Sequence, residues 1–175
     1  MAASKREIDE IVTDIVKDWL EERTNQMKAI LDSKGISPNS GALLPQDIKV
    51  PPINITASNY QAQLELEDYY IFVDEGVKGT RNERPNTGRF SFKNDKPNKK
   101  MAMSVMDWGA RKGHDGLTKE NALGYAYGRA VNIKRRGIRE TRFFRDSTED
   151  RYTEQLITAL QNALGNSFEI SIINA

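Results

Sequence analysis

The sequence predicts an α+β fold in which a small antiparallel sheet is flanked by a long N-terminal helix and two or three further helices. Apolar residues recur with the helical period of about 3.6 in most segments, whereas only short runs alternate with the period of two that strands require. Helical and strand patterns do not alternate regularly, so a parallel sheet with crossover helices is not expected. A length of 175 residues fits one compact domain with projecting segments.

Residues 1–35 are predicted to form one amphipathic helix. Ser4 and Glu7 make a capping box, in which the serine hydroxyl accepts from the Glu7 amide and the glutamate side chain accepts from the Ser4 amide. Gly35 is placed to end the helix. The apolar positions thin out at residues 21–23, where we expect the helix to face solvent or a partner. The apolar face consists of Ile8, Ile11, Val12, Ile15, Trp19, Met27, Ile30 and Leu31.

The middle of the chain is predicted to contain a linker and short strands. Residues 36–52 contain four prolines and are expected to be irregular. The remaining residues, 53–175, are expected to form the α+β core. Alternation over residues 53–57 and 60–66 predicts two short strands, and residues 69–73 continue as another strand or a short helix.

A long basic loop is predicted over residues 77–99, after a turn that contains Gly76 and Gly79. An arm of this length inside a small domain usually carries an interaction. Helical patterns return after the loop, and the basic residues at the end of the second one complement the helix dipole. The predicted elements are a helix over 99–111, a helix from Thr118 to Arg135 ended by Gly137, a helix capped by Ser147 and Asp150 and ended at Leu164 by Gly165, and a strand over 168–172.

The composition excludes several classes of site. The chain has no cysteine and one histidine, which rules out disulfides, thiolate zinc sites, cysteine nucleophiles and any site that needs two histidines. The histidine, His114, lies in a predicted turn, where an exposed loop residue is the favoured interpretation. No apolar run approaches the ~20 residues of a membrane helix, and the charged N-terminus lacks the apolar segment of a secretory signal. We therefore expect a soluble protein made in the cytoplasm, with no membrane partner.

Five carboxylates between Glu65 and Glu75 are the strongest candidates for a metal site. In an alternating strand Glu65 and Glu67 would point to one face, as a divalent cation for phosphodiester cleavage requires. The lysine that such nuclease sites commonly carry two residues further on is missing, so an acidic solvent-exposed face is the favoured interpretation. We expect no enzymatic activity, no metal and no cofactor.

The net charge of +1 hides a strong separation of charge along the chain. Residues 76–145 carry 18 basic and 6 acidic side chains, a net charge of +12, while residues 1–35, 36–75 and 146–175 carry −2, −5 and −4. A basic centre with acidic flanks can bind nucleic acid. It can equally allow the basic region of one copy to contact the acidic region of another, in head-to-tail assembly.

The basic loop provides the candidate interface residues. Its cations are interleaved with Phe90 and Phe92, a combination that single-stranded nucleic-acid binders use. A protein-contacting arm, with the two phenylalanines in a neighbour's groove, is the favoured interpretation. The basic residues are Lys78, Arg81, Arg84, Arg89, Lys93, Lys96, Lys99 and Lys100.

Several segments together resemble the tail-completion (neck) proteins of tailed bacteriophages. In that family an aromatic strand ends in a valine–acid–glycine turn, and a basic helix precedes an aromatic threonine–x–phenylalanine segment. The matching segments here are YYIFVDEGVKGT at 69–80, RFSFK at 89–93, an apolar helix with Trp108 followed by KG at 112–113, AYGRA at 126–130, IKRRGI at 133–138 and TRFF at 141–144. The resemblance covers about residues 50–165, and it lies in the order and spacing of the segments.

The resemblance implies a structural virion protein that forms a homo-oligomeric ring at the head–tail junction and has no catalytic residues. Its partners would be the portal or connector and the tail proteins, with transient contact to genomic DNA, in a virion assembled in the bacterial cytoplasm. The helix with Trp108 and the long basic loop depart from shorter members as an insertion. The family's turn falls on Asp74, Glu75, Gly76 and Gly79, its aromatic segment falls on Phe143 and Phe144, and the expected contact residues include Lys78, Arg81 and Phe90.

Two further expectations remain. Trp19, on the N-terminal helix, is added to the candidate interface. The alternative function is DNA binding through the basic region at residues 76–145.

Overall fold

The computed structural model describes residues 4–36, 48–55, 60–67, 69–81, 88–111 and 119–165. These residues form an α+β fold, which confirms the predicted class. The helices are α1 (Lys5–Ser33), α2 (Tyr70–Asp74), α3 (Lys99–Arg111), α4 (Lys119–Arg136), α5 (Phe143–Ser147) and α6 (Asp150–Leu164). The strands are β1 (Asn54–Ile55), β2 (Tyr60–Gln61), β3 (Val77–Lys78) and β4 (Gly137–Ile138).

Both ends of α1 form as their sequence predicts. The capping box is complete, with the Glu7 amide bonded to the Ser4 hydroxyl at 3.3 Å and the Ser4 amide bonded to the Glu7 carboxylate at 2.7 Å. At the other end Gly35 adopts a φ of 75°, and the amide of Ile36 donates to the carbonyl of Leu31 at 2.9 Å. This is a Schellman motif, which places glycine at the residue that must turn left-handed.

Two hydrophobic clusters lie along α1. The first packs the N-terminal half of α1 on α6, and the β1–β2 hairpin adds partly buried residues to it. The second packs the C-terminal half of α1 on α5 and α2. The buried residues are Val12, Val16, Leu20, Leu156 and Leu160 in the first cluster, and Met27, Leu31, Ile48 and Phe143 in the second.

The middle of α1 faces solvent only in part, because Glu21 and Glu22 are exposed whereas Arg23 packs within its own chain. Arg23 is only 2% exposed, and its guanidinium lies 3.8 Å from the centroid of the Tyr152 ring on α6. Thr24 is also buried. The pattern thins here because a charged side chain fills a core position, stacked on an aromatic ring.

The sheet content is two separate two-stranded antiparallel sheets, β1–β2 and β3–β4. The predicted linker, 36–52, is not irregular throughout, since Ile48 is in the second cluster and Lys49 bridges Glu65 through two backbone hydrogen bonds. Tyr70–Asp74 is a short helix. This decides between the two predicted alternatives and differs from the strand that the family resemblance implies.

Helices α3 and α4 pack on each other and are joined to the rest of the chain through β3 and β4. Gly137 ends α4 with a φ of 82° and pairs with Lys78. Gly79 lies so close to α4 that a Cβ atom there would overlap the carbonyl oxygen of Arg135. Glycine is therefore required where the chain crosses the end of this helix.

The end of the chain differs from the prediction in its helix caps. Ser147 is the last residue of α5 and is fully buried, and the N-cap of α6 is Glu149, which makes no side-chain capping bond. Gly165 ends α6 as predicted. His114, Thr118, Arg84 and the predicted strand over 168–172 lie outside the described residues. Among the helices that are described, none is long and apolar enough to cross a membrane.

Candidate interaction surface

The predicted basic loop folds back onto its own chain wherever the structure describes it. The Lys78 amide donates to Phe90 O at 2.9 Å, and the Phe92 amide donates to Lys78 O at 3.0 Å. Residues 90–92 therefore flank β3 on the side opposite β4. Within the described residues the loop is not a projecting arm, because its backbone groups are bonded to β3 and α4.

The C-terminal end of α4 anchors this loop. The amides of Thr80 and Arg81 donate to the carbonyls of Lys134 and Arg135, each at 3.0 Å. Carbonyls in the last turn of a helix have no partner within the helix, so the loop supplies the donors that they need. The approach brings the basic last turn of α4 next to the basic residues of the loop.

We call the surface formed by residues 77–81, 88–100 and 134–139 the basic ledge. These segments contain eleven basic side chains and one acidic side chain, Asp95. Asp95 accepts from Arg135 at 3.0 Å, and this bond holds the pKa of the Asp95 carboxyl below its usual value. Lys134 Nζ donates to Asn94 Oδ1 at 3.1 Å and to Lys96 O at 2.7 Å.

Most cations of the basic ledge form no ion pair, although Arg81 also helps to lower the pKa of the Asp95 carboxyl. Within the described part of the chain, seven exposed basic side chains on the ledge form no ion pair, and the ledge is strongly positive. They are Lys78, Arg81, Lys93, Lys96, Lys99, Lys100 and Arg139.

The two loop phenylalanines pack against their own chain. Phe90 makes an edge contact with Phe72, with ring centroids 4.7 Å apart, and the Arg89 guanidinium lies 5.0 Å from the Phe90 centroid. Arg89 also pairs with Glu75 at 3.4 Å. Lys134 lies over Phe92 at 5.8 Å. Both phenylalanines are partly buried, and Phe90 lies against Phe72, which is 40% exposed.

Asp74 joins two segments that are far apart in sequence. Its carboxylate accepts from the amides of Phe144 at 2.8 Å and Arg145 at 3.3 Å, at the start of α5. Thr141 Oγ1 donates to Val73 O at 2.8 Å, so the same turn is held twice. Burial raises the pKa of the Asp74 carboxyl, although the two amide bonds oppose that shift.

The remaining interface candidates are partly or fully buried in the chain. Phe143 is completely buried, so it has no surface to offer a partner and is not retained as an interface residue. Phe144 is half-buried, with its ring centroid 5.3 Å from that of Tyr70. Trp19 packs on the first cluster and donates its indole N–H to Tyr152 O at 2.9 Å.

The carboxylates considered for a metal site face different partners. Asp74 bonds to α5 and Glu75 pairs with Arg89, while Glu65 is exposed beside Lys49. In the described ranges, no group of three acidic or histidine side chains is placed to hold a metal ion.

Sequence reasoning missed two features of this region. The sequence does not show that the basic residues at the end of α4 lie beside the basic loop, yet Lys134 and Arg135 form part of the basic ledge. The role of Asp74 was also missed, because nothing in its local sequence points to the amide of Phe144, 70 residues later. The high density of Lys and Arg at residues 134–139 was the available signal for the first of these.

Comparison with known proteins supplies no further assignment. No model of a protein family matches the chain, and neither a curated protein nor a solved structure matches it.

Proposed function

We propose that this chain is a structural virion protein of a tailed bacteriophage, forming a ring at the head–tail junction as a tail-completion or connector component. The observation that carries the proposal is that segments which resemble neck proteins, although spread over about 75 residues of sequence, are bonded to one another in the fold. Residues 69–80 are the centre of this arrangement.

Each contact joins a different pair of resembling segments. Lys78 bonds to residues 90 and 92 and pairs with Gly137, and Thr80 bonds to Lys134 at the end of α4. Asp74 and Val73 bond to residues 141–145. Segments that match a family only by order and spacing need not contact one another in the fold. The contacts between these segments therefore support the view that they form one structural unit.

The distribution of charge supports assembly with other copies. A ring requires two different surfaces on each subunit, because a head-to-tail contact joins unlike patches. The basic ledge provides one strongly positive surface, and the exposed side of α1 provides an acidic one. The portal or connector and the tail proteins are the proposed partners outside the ring, and the virion is the proposed location.

Two measurements test the proposal. Native mass spectrometry and negative-stain electron microscopy of the full chain should show closed multimers, alone or after a connector partner is added. Peptides of the chain should be found in purified head–tail particles, with antibody labelling at the neck. A chain that stays monomeric with every virion component and is missing from particles would contradict the proposal.

DNA binding is the second candidate function, and the seven unpaired cations of the basic ledge favour it. Each phosphate contact releases counterions, so the affinity for DNA should fall steeply as the salt concentration rises. Each contact contributes about −0.9 to the slope of log K against the logarithm of the salt concentration. The double variant K93A/K96A should reduce that slope by about one to two. The matched control is K5A/K17A, which removes two exposed lysines of α1. Equal slopes for both variants would exclude the ledge as a DNA-binding surface.

A further inference from the structure

We propose that the exposed face of α1 in one copy packs against the first two turns of α3 in a second copy. This inference rests on the ring assembly proposed above and names the contact that builds it. Each face has an exposed apolar residue at its centre and unpaired charges around it, and the two sets of charges are opposite in sign.

The α1 face is centred on Ile11, which is 37% exposed although it belongs to the apolar pattern of the helix. Three acidic residues lie around it on the helix surface, because helical neighbours are three, four or seven residues apart. They are Glu7, four residues before Ile11, and Asp14 and Asp18, three and seven residues after it. The core residues Val12 and Val16 lie about 100° and about 140° further round the helix, on the side that packs in the first cluster.

The acidic side chains around Ile11 are not neutralised by nearby bases. Arg6 pairs with Glu10 at 3.0 Å, and Lys17 lies 3.8 Å from Glu21. Asp14 and Asp18 have no ion pair within the described residues and are exposed.

The α3 face is centred on Met103, which is 45% exposed. Lys99 and Lys100 precede it by four and three residues, so both lie beside it on the helix surface. Both lysines are exposed, and neither forms an ion pair in the described structure. Asp107 lies one turn further along, which limits the basic part of this face to the first two turns.

The position of these lysines gives a second reason to expect an acidic partner. A cation in the first turn of a helix is disfavoured by the positive end of the helix dipole. Asn98 precedes α3, and its side chain accepts from the Met101 amide at 2.8 Å. The first turn of α3 contains both lysines and no acidic residue. Carboxylates of a neighbouring α1 would relieve this repulsion.

The two faces are different and both are exposed on the same subunit. Each copy can therefore use α1 toward one neighbour and α3 toward the other, which is the head-to-tail contact that closes a ring or extends a filament. Charges at the rim set the register of such a contact and speed its formation, while the apolar centres are removed from water.

Chemical cross-linking tests the contact directly, because the chain contains no cysteine. We expect a mixture of the single variants I11C and M103C to form a covalent dimer with a short bis-maleimide. Neither variant alone should do so, and the double variant I11C/M103C should form a ladder of multimers. The matched control pairs I11C with T158C, at an exposed position of α6. A yield from the I11C and M103C mixture no higher than the control overturns the proposal.

Charge reversal tests the ionic part. In D14K/D18K and in K99E/K100E, the protein concentration needed for half of the chains to assemble should rise at least tenfold. The chain that carries all four changes should assemble at the wild-type concentration. K99E/K100E should not unfold, because glutamates suit the first turn of a helix. The proposed contact is overturned if the variant with all four changes does not recover assembly. It is also overturned if K99E/K100E assembles like wild type.

The outcomes separate this inference from the proposed function. If K99E/K100E still enters head–tail particles in wild-type amounts, the neck assignment stands and the α1–α3 contact is wrong. If wild-type chain is missing from particles, the neck assignment fails regardless of cross-linking. If K99E/K100E weakens DNA binding and no cross-link forms between I11C and M103C, the α3 face binds DNA and the contact between copies is excluded.

Discussion

Asp74 accepts hydrogen bonds at the start of α5, from an amide 70 residues further along the chain. Its carboxylate is 5% exposed and receives two amide donors from α5, whose first residues follow Arg142 in a left-handed conformation with a φ of 58°. A buried carboxylate needs such donors, because an ionised group without them is strongly disfavoured away from water. The contact therefore fixes the turn between β4 and α5.

Substitution of Asp74 should separate the hydrogen bonds from the charge. D74A leaves two amides without an acceptor and should lower the free energy of unfolding by about 1–3 kcal/mol. D74N keeps an acceptor oxygen without the buried charge and should stay within about 1 kcal/mol of wild type at neutral pH. Urea unfolding measures both, and equal losses in the two variants would contradict this account.

The raised pKa of Asp74 gives the pH dependence a definite sign. The folded state holds this proton more tightly than the unfolded state does, so its contribution to stability is complete below the unfolded pKa near 3.8 and is lost as pH rises through the folded value. The stability of wild type relative to D74N should therefore fall as pH rises from about 4 to the folded pKa and stay constant above it. A difference that is constant over this interval would argue against a buried, titrating carboxyl.

Gly79 is required because the end of α4 lies against it, so a methyl group should be costly at residue 79. In G79A the new methyl group would overlap the Arg135 carbonyl, which is fixed by its bond to Arg81, so we expect a loss of about 1–3 kcal/mol. G128A is the matched control, since nothing lies within 4 Å of the added atom on α4. The control should gain about 0.5–1 kcal/mol from helix propensity, as thermal unfolding would show.

At the scale of elements, the pairing of α1 with α6 depends on polar groups as well as on leucines. Tyr152 accepts at its hydroxyl from Gln26 at 2.7 Å and from Arg151 at 2.9 Å, and the Arg23 guanidinium lies on its ring. Arg23 also pairs with Glu22 and donates to Gln26. This network holds a charged residue inside the helix interface.

Removal of the Tyr152 hydroxyl should weaken that interface. Y152F deprives two donors of their acceptor and should cost about 1 kcal/mol in the free energy of unfolding. Y125F removes a hydroxyl that accepts from Arg129 at 2.8 Å on the exposed side of α4 and should change stability by less than about 0.5 kcal/mol. Denaturant titration compares them, and a loss in Y125F as large as in Y152F would contradict the network's importance.

At the scale of the whole molecule, α1 connects the two hydrophobic clusters. Leu20 belongs to the first cluster and Met27 to the second, so an unbroken helix between them couples the packing of α6 to that of α5. Both clusters should therefore unfold in one transition, and a break in this stretch of α1 should destabilise both.

Asn25 lies between the two clusters on the exposed side of α1. N25P removes a helix hydrogen bond and should lower the free energy of unfolding by about 3 kcal/mol, with the loss of helix and of Trp fluorescence coinciding. N25A is the control and should be neutral or slightly stabilising, because alanine is the better helix former. Two separate transitions in N25P would show that the clusters fold independently.

The sequence by itself determined the local features of this protein. The capping box at Ser4, the helix ends at Gly35, Gly137 and Gly165 and the presence of short strands at residues 54–55 and 60–61 all agree with the structure. Each depends on groups a few residues apart, which the order of residues specifies directly.

Only the tertiary structure decided which distant groups meet. The burial of Ile48 and the folding of residues 88–98 onto β3 and α4 differ from the expected irregular linker and projecting arm. The burial of Arg23 against its own chain and the bond from Asp74 to α5 were not expected from the sequence. Contacts between Gln26 and Tyr152 span 126 residues of sequence. Such contacts depend on how whole elements bury their surfaces against each other, and neither a period nor a cap in the local sequence encodes that choice.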